Sequence, residues 1–282
     1  MSRFITMART ALPAVPVVNQ LPGVRKAPVS GFQGLSRSGE PAPVDPQHVA
    51  AYARVCGFTH GDTLPVSYPH LLSFDLQMSI MADQQFPWPA IGTVHLENAL
   101  TSYRPIGMDE VLAASVEVGA PRGHAKGTLL DFVTTVHSGS ELVWESTSTY
   151  LSRGRTDLPV VPGLNLPAPP AGTVTWDLPG DLGRRYGGVS GDLNPIHLYP
   201  LTARALGFKR QIVHGMWTKA RCLAAIENRL PDAVRVEVAF KKPVFLPGSV
   251  RFGLEGDRDG WVFALTRPTD GAPHLVGATH AL

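Results

Sequence analysis

The sequence predicts an α+β protein made of two similar halves, each with one long helix packed on an antiparallel sheet. Three observations lead to this prediction. Both halves show the same order of elements, a helical stretch followed by four strand-like segments. Short segments of the two halves resemble one another at a spacing of about 140 residues, far longer than a solenoid unit. Between the halves, residues 152–172 are rich in Pro, Gly and short polar residues, as in an interdomain linker.

In the first half, helical periodicity covers about residues 67–81. Strands are expected near residues 92–100, 110–119, 127–138 and 141–151. Residues 1–45 contain many Pro and Gly residues, and we expect them to form an extended arm or strand over the first domain.

In the second half, residues 181–208 are expected to form a polar loop with short helices. A longer helix should run from Gly215 to about Leu230, where Pro231 ends it. The strands follow, separated by turns such as residues 256–260, and are expected at residues 233–240, 249–255, 261–266 and 275–280.

The repeat rests on two local similarities. Residues 94–100 align with residues 234–240, and residues 52–57 align with residues 186–191. Continued along the chain, the second alignment places Phe58 opposite Asp192 and Thr63 opposite His197. It therefore predicts one active site, in the second half.

Composition excludes several classes of function. The chain has 282 residues, 44% apolar content and a formal charge of +2, without the basic stripe of a nucleic-acid-binding protein. No segment reaches the roughly 18 consecutive apolar residues of a membrane span, and Pro13 and Pro16 interrupt any signal-peptide core. We therefore expect a cytoplasmic protein in which Cys56 and Cys222 are free thiols.

The stretch from Tyr186 to Ala203 carries the chemistry. It places Asp192 and His197 on either side of Asn194-Pro195, the residue types preferred at a helix N-cap and first helical position. A loop carrying Asp192 and a helical turn carrying His197 can direct both side chains into one small volume. The helix start should disfavour the imidazolium, so that a neutral ring exchanges protons near pH 7.

A second helix start supplies a hydrogen-bond donor. Gly215 opens the long helix, so its amide is unpaired and can polarise a carbonyl oxygen. Glycine at this position also lets a ligand approach the backbone closely. Together with Asp192 and His197, this donor suits the addition of water next to an activated carbonyl, or its removal.

Each of these residues also has an ordinary structural explanation. An isolated Asp-x-Asn-Pro is often only a turn with a helix cap, and His197 alone is more often a surface or capping residue. A metal site from Asp192, His197 and His214 is conceivable, but no two of them have helical ligand spacing, so we expect no metal. His214 could equally be a satisfied histidine at a helix entry. The combination of residues favours catalysis.

The combination resembles a known family. Residues 186–203, with Ile212-Val213-His214-Gly215-Met216 downstream, resemble the hydratase 2 motif of the MaoC-like (R)-specific enoyl-CoA hydratases and dehydratases. Residues 173–282 look like one catalytic hot-dog domain of that family, and residues 1–151 resemble it faintly. The resemblance implies a double hot-dog fold, in which two helices are each wrapped by an antiparallel sheet and the sheets join edge to edge as a pseudo-dimer. The first domain would lack the catalytic pair and house the acyl chain.

The resemblance also implies a reaction. It is the reversible syn hydration of trans-2-enoyl thioesters to (R)-3-hydroxyacyl thioesters, with Asp192 and His197 catalytic. Asn194 and Ser190 would support the loop, and the Gly215 amide would bind the thioester oxygen. No metal or redox cofactor is expected. Coenzyme A or an acyl carrier protein would enter as part of the substrate. Further pairing into a homodimer is common among such proteins.

Basic residues near the motif leave the carrier open. Most of them are expected to form a solvated face, although any at the pocket mouth could bind the phosphates of coenzyme A or an acidic carrier protein. They are Arg204, Lys209, Arg210, Lys241 and Lys242. Two other functions stay open, a hot-dog acyl-thioesterase and a non-catalytic acyl-binding subunit.

Overall fold

The computed structural model describes residue 26 and residues 29–90, 92–256 and 260–282. Its α-helices are α1 (Pro46–Cys56), α2 (Phe74–Ala82), α3 (Leu182–Ser190), α4 (Pro195–Leu198), α5 (Pro200–Ala205) and α6 (Gly215–Ala224). Its strands are β1 (Leu35–Ser38), β2 (Ala42–Pro43), β3 (Val94–Ser102), β4 (Val111–Val118), β5 (Arg122–His124), β6 (Gly127–Ser138), β7 (Glu141–Arg153), β8 (Val174–Leu178), β9 (Val234–Phe240), β10 (Gly248–Gly256), β11 (Gly260–Thr266) and β12 (Pro273–Ala281). Short 3-10 helices cover Val29–Gly31, Tyr68–Ser73 and Glu227–Arg229.

The strands form one sheet that runs through both halves. The order is β1-β4-β6-β7-β3-β9-β12-β11-β10-β8, with β2 beside β4 and β5 beside β6. The halves meet where β3 pairs antiparallel with β9, from Glu97 opposite Ala239 to Ser102 opposite Val234. These are the two segments that aligned in the sequence. The predicted edge-to-edge joining of two antiparallel sheets is therefore confirmed.

The eight predicted strands correspond to β3, β4, β6, β7 and β9–β12, within a few residues at each end. Helix α1 and the short strands β1, β2, β5 and β8 were not predicted as individual elements. β1 pairs with β4, which agrees with a strand over the first domain, whereas most of residues 1–28 lies outside the described residues. The predicted turn at 256–260 also falls largely on residues that are not described.

Helix α6 is shorter than predicted. It ends at Ala224, and a 3-10 turn covers Glu227–Arg229 before Pro231. Ile226 is fully buried, and the Glu227 carboxylate accepts a hydrogen bond from the Thr59 amide at 2.9 Å. These tertiary contacts draw the chain out of the helix, and no local signal in the sequence announces them.

The core surrounds α6, which buries eight of its ten residues against the sheet and against α1. A second apolar cluster lies under α2 in the first half and contains Phe86, Trp88 and Phe132. Cys56 and Cys222 are free and buried, as expected. Within the described residues, no helix is long and apolar enough to cross a bilayer.

Residues 154–173 form no helix and no regular strand, but they are held to the sheet. Val161 donates a backbone hydrogen bond to Gly123, Leu164 donates to the Glu97 carboxylate, and Thr173 donates to Phe252. The segment expected as a linker thus lies on strands of both halves.

The second sequence alignment is partly right. Helices α1 and α3 both end at a glycine in the left-handed region, Gly57 with φ 86° and Gly191 with φ 78°. Phe58 and Asp192 each follow one of these caps. The pairing of Thr63 with His197 is wrong. Thr63 forms an isolated β-bridge with Gly107, and the corresponding bridge in the second half joins Ile212 to Phe245. Thr63 therefore corresponds to Ile212. In the second half, α4 and α5 lie between cap and bridge, an insertion that a short local match does not detect.

Candidate active site

The loop after α3 is built by side chains that bond to neighbouring backbone amides. Ser190 Oγ accepts from the amide of Asp192 at 3.2 Å, and Asp192 Oδ1 accepts from the amide of Asn194 at 3.1 Å. Asn194 caps α4 by accepting from the amide of Ile196 at 3.3 Å, with Pro195 at the first helical position. The cap predicted from Asn194-Pro195 is confirmed. These bonds leave Asp192 Oδ2 directed at the histidines.

His197 lies on α4 and is buried. Its Nδ1 lies 2.8 Å from the carbonyl oxygen of Ile212. Because a carbonyl only accepts, Nδ1 must carry the proton and the neutral ring must keep its lone pair on Nε2. Nε2 lies 4.0 Å from Asp192 Oδ2, so a base and a carboxylate face each other across a gap.

Burial lowers the pKa of His197, while the Asp192 carboxylate and the bond to Ile212 act in the opposite direction. The ring is therefore neutral, as the sequence predicted, but for a different reason. Helix α4 has only four residues, and burial rather than the helix start is the main cause.

Gly183 determines how closely α4 packs on α3. A Cβ atom at position 183 would overlap the carbonyl oxygen of His197. Nearby, Arg184 Nη1 donates to the carbonyl oxygen of Leu198 at 2.9 Å. The first turn of α3 therefore holds the backbone that carries His197.

His214 connects the two candidate catalytic residues, a role that the sequence did not reveal. Its Nε2 donates to the Asp192 carbonyl oxygen at 3.0 Å, and its ring stacks on the His197 ring with centroids 3.7 Å apart. Burial, together with the neighbouring His197, lowers the pKa of His214 to about 3. A neutral ring thus braces both groups. In the sequence, only the position of His214 next to Gly215 indicated that it lies near the site.

Gly215 is the first residue of α6, so its amide has no acceptor within the helix. A Cβ atom here would lie 3.2 Å from the Phe240 ring, tighter than an ordinary contact. Because His214 bonds to Asp192, this amide lies beside the acid–base pair. Met216, Trp217 and Leu223 of the same helix belong to the core.

Asp192, His197 and His214 are also the residues that could hold a metal ion. One donor atom of each lies within 4.8 Å of the others. His214 Nε2, however, already donates to the Asp192 carbonyl and would have to give up that bond and its proton to act as a ligand. The arrangement suits proton transfer better, and a site without metal stays a prediction.

The five basic residues near the motif are all exposed. Arg204 donates to the carbonyl oxygen of Lys209 at 3.2 Å, and the Arg210 guanidinium lies over Phe245. Lys241 and Lys242 directly follow Phe240, whose ring lies on Gly215. This brings the two lysines close to the site along the chain.

Buried polar groups from both halves lie near the site and were missed by sequence reasoning. Lys219 of α6 is fully buried, hydrogen-bonds to the Asn98 side chain on β3, and has its pKa lowered far below the ordinary value by burial. His70 is buried, and His95 and Tyr150 lie on the facing strands β3 and β7. No local pattern marks these residues, because their proximity depends on the pairing of the two halves.

The buried histidines predict a loss of stability in acid. Burial is the largest cause that lowers the pKa of His70 to about 4 and of His95 and His214 to about 3, from an ordinary value of 6.5. Between the lowered pKa of each folded histidine and the ordinary value of 6.5, the unfolded state binds more protons than the folded state. The free energy of unfolding therefore falls as the pH falls. The contribution is complete above pH 6.5 and is lost below it, by up to about 1.4 kcal/mol per pH unit for each ring.

Urea denaturation at a series of pH values tests this prediction. The midpoint should fall steadily between pH 6.5 and pH 4.5, and His70→Asn should reduce the slope. The matched control, His60→Asn, alters an exposed histidine and should leave the slope unchanged. A midpoint independent of pH over this range would contradict the prediction.

The chain is similar to several known proteins. Residues 168–263 match the MaoC like domain. The chain is 39% identical over 287 residues to 3-hydroxyacyl-thioester dehydratase X of Mycobacterium tuberculosis, an alignment that covers 100% of this chain and 98% of the relative. Over 74 residues it is 32% identical to the (R)-specific enoyl-CoA hydratase of Aeromonas caviae, which covers 25% of this chain and 55% of that relative.

Solved structures show the same architecture. The crystal structure of HtdX from M. tuberculosis matches with a TM-score of 0.78 and 37% identity, covering 88% of this chain and 100% of that chain. Another M. tuberculosis protein, described as a double hotdog fold, matches with a TM-score of 0.57 and 13% identity over 91% of this chain and 98% of its own, a likeness of fold alone. The fold alone does not define an activity. The relatives, named as a dehydratase and an enoyl-CoA hydratase, indicate the hydro-lyase class of enzymes. The chain belongs to the MaoC-like dehydratase family.

Proposed function

We propose that this protein catalyses the reversible hydration of trans-2-enoyl thioesters to (R)-3-hydroxyacyl thioesters. One observation carries the proposal: Asp192 Oδ2 and the unprotonated Nε2 of His197 face each other 4.0 Å apart. The names of the relatives support the reaction class, since one is a 3-hydroxyacyl-thioester dehydratase and another an (R)-specific enoyl-CoA hydratase.

The gap between Asp192 and His197 suits one water molecule. Both facing atoms are acceptors, and a water molecule has two protons to donate. With hydrogen bonds of about 2.8 Å to each atom, one water spans a separation of this size. Both protons are then engaged by the protein, and the oxygen lone pairs are left free to attack.

The electrophile would be polarised from the other side. With the thioester oxygen on the Gly215 amide, charge that develops on that oxygen meets an unpaired donor at the start of a ten-residue helix. In the hydration direction the water oxygen bonds to the β carbon while its proton moves to Asp192 or His197. The electron pair of the double bond shifts towards the thioester oxygen. The proton taken from the water then adds to the α carbon on the same face, which restores the carbonyl and returns Asp192 and His197 to their starting protonation states. Dehydration is the reverse.

The rest of the substrate would extend in two directions. In this proposal residues 1–151 form a domain without the catalytic pair that houses the acyl chain, and residues 173–282 form the catalytic domain. The thioester carrier, coenzyme A or an acyl carrier protein, would lie at the surface, where Lys241, Lys242 and the other exposed cations can meet its negative charge. The reaction needs no metal and no redox cofactor.

A direct assay tests the reaction. The purified protein with crotonyl-CoA should lower the absorbance of the enoyl thioester, and chiral analysis should find (R)-3-hydroxybutyryl-CoA. A thiol-trapping dye should detect no free coenzyme A. Release of thiol would instead support a thioesterase, and no change with any chain length would support a non-catalytic acyl-binding protein.

A further inference from the structure

Helix α1 of the first half packs on α3, the helix that leads into the loop carrying Asp192. His48 lies on α1 and is half-buried between two partners from other elements. Its Nε2 lies 2.7 Å from the carbonyl oxygen of Val189, and its Nδ1 lies 2.8 Å from the Tyr68 hydroxyl. The imidazole therefore joins two segments of the first half to the end of α3 in the second half.

The direction of these bonds follows from the partners. A carbonyl oxygen only accepts, so His48 Nε2 carries a proton and donates it to Val189. In the neutral ring Nδ1 is then an acceptor, and the Tyr68 hydroxyl donates to it. Tyr68 is itself buried, and its ring packs against that of Tyr52 with centroids 5.5 Å apart. A fixed hydroxyl thus holds the imidazole in the tautomer that directs a proton at Val189.

The accepting carbonyl lies just before the loop. Val189 is in the last turn of α3, where carbonyl groups have no partner further along the helix. The same peptide unit continues into Ser190, whose Oγ accepts from the Asp192 amide. A change in the orientation of this peptide unit would therefore pass through Ser190 to Asp192.

A second contact from α1 reaches the site from the side of His214. Tyr52 follows His48 by four residues and so lies on the same face of α1. The Tyr52 and Tyr186 rings lie 6.3 Å apart, and the Tyr186 and His214 rings lie 4.9 Å apart. His214 in turn donates to the Asp192 carbonyl oxygen. One face of α1 thus contacts the loop at its start and, through two rings, at Asp192.

We propose that His48 is a positioning residue. By holding the last peptide unit of α3, it orients the Asp192 carboxylate towards His197. The proposal rests on the proposed function and gives the first half a part in catalysis besides the acyl-chain pocket. A displacement of about 1 Å in a reacting group can cost about a hundredfold in rate. Because His48 acts on the acid–base pair and not on the bound carrier, its loss should lower kcat and leave KM nearly unchanged.

Two substitutions separate the two bonds of His48. Glutamine can carry its amide nitrogen to the position of imidazole Nε2 and donate to Val189, whereas asparagine reaches only as far as Nδ1 and can keep the bond to Tyr68. His48→Asn should therefore lower kcat for crotonyl-CoA about tenfold or more, with KM changed less than about twofold. His48→Gln should keep kcat within about twofold of the wild type. Gln47→Ala, at an exposed residue of the same turn of α1, is the matched control and should behave as the wild type.

Hydrogen exchange followed by mass spectrometry tests the positioning without turnover. In His48→Asn, peptides from residues 186–199 should exchange faster while peptides from the sheet exchange as in the wild type, and His48→Gln should restore slow exchange. Faster exchange throughout the protein, equal loss of kcat in both variants, or wild-type kcat in His48→Asn would overturn the proposal. If the wild-type protein did not hydrate crotonyl-CoA, the proposed function would fail, and the local exchange pattern would still decide whether His48 holds the loop.

Discussion

Asp192→Asn is expected to reduce crotonyl-CoA hydration by about a thousandfold while the protein stays folded. The amide keeps an oxygen that can accept from the Asn194 amide, so the loop should survive. It cannot take a proton, however, and rotation of its NH2 group towards His197 would place a donor where the water must donate. Removing a positioned acid–base group usually costs about 10²- to 10⁴-fold in rate. His197→Ala removes the opposite acceptor and should have an effect of similar size.

The measurement is kcat at saturating crotonyl-CoA, with circular dichroism and thermal melting to confirm the fold. Asp181→Asn is a matched control. Asp181 stands before α3, is exposed, and its side chain makes no capping hydrogen bond, so this variant should retain full activity. Rates near wild type in Asp192→Asn or His197→Ala would refute the roles proposed for these residues.

Gly183→Ala is expected to impair catalysis although residue 183 contacts no substrate in the proposed mechanism. The added methyl group would overlap the carbonyl oxygen of His197, and a backbone atom cannot yield as a side chain can. Helix α4 must therefore move away from α3, and His197 Nε2 must move with it. We expect about 1–3 kcal/mol of destabilisation from overpacking and, because an error of about 1 Å misplaces the base, roughly a hundredfold loss of kcat.

Gly188→Ala provides the control on the same helix. A Cβ atom at position 188 meets nothing within 4 Å. Alanine is a better helix former than glycine, so this variant should be as stable as the wild type or more stable, by up to about 1 kcal/mol, with unchanged kcat. If Gly183→Ala matched Gly188→Ala in both stability and kcat, the close contact between α3 and α4 would not be what positions His197.

The elements that were predicted well depend on residues close together in the chain. The Asn194 cap with Pro195, the start of α6 at Gly215 and the alternating strands of both halves follow from local preferences and are all present. The end of α6 was predicted about six residues too late, because the burial of Ile226 in the core and the hydrogen bond of Glu227 with Thr59 are tertiary contacts. The alignment of residues 52–57 with residues 186–191 was too short to reveal the insertion of α4 and α5, so Thr63 was aligned with the wrong residue.

In the candidate site, too, local features could be predicted and contacts between distant residues could not. The fold class, the family and the helix cap between Asp192 and His197 could be predicted from the sequence, because each depends on short-range patterns or on a contiguous motif. The bracing of both residues by His214 and the close packing of α4 on Gly183 could not be predicted and became visible in the folded structure. These contacts join residues from different elements. They form when α3 packs on α4, and contacts over such distances leave no periodic trace in a single sequence.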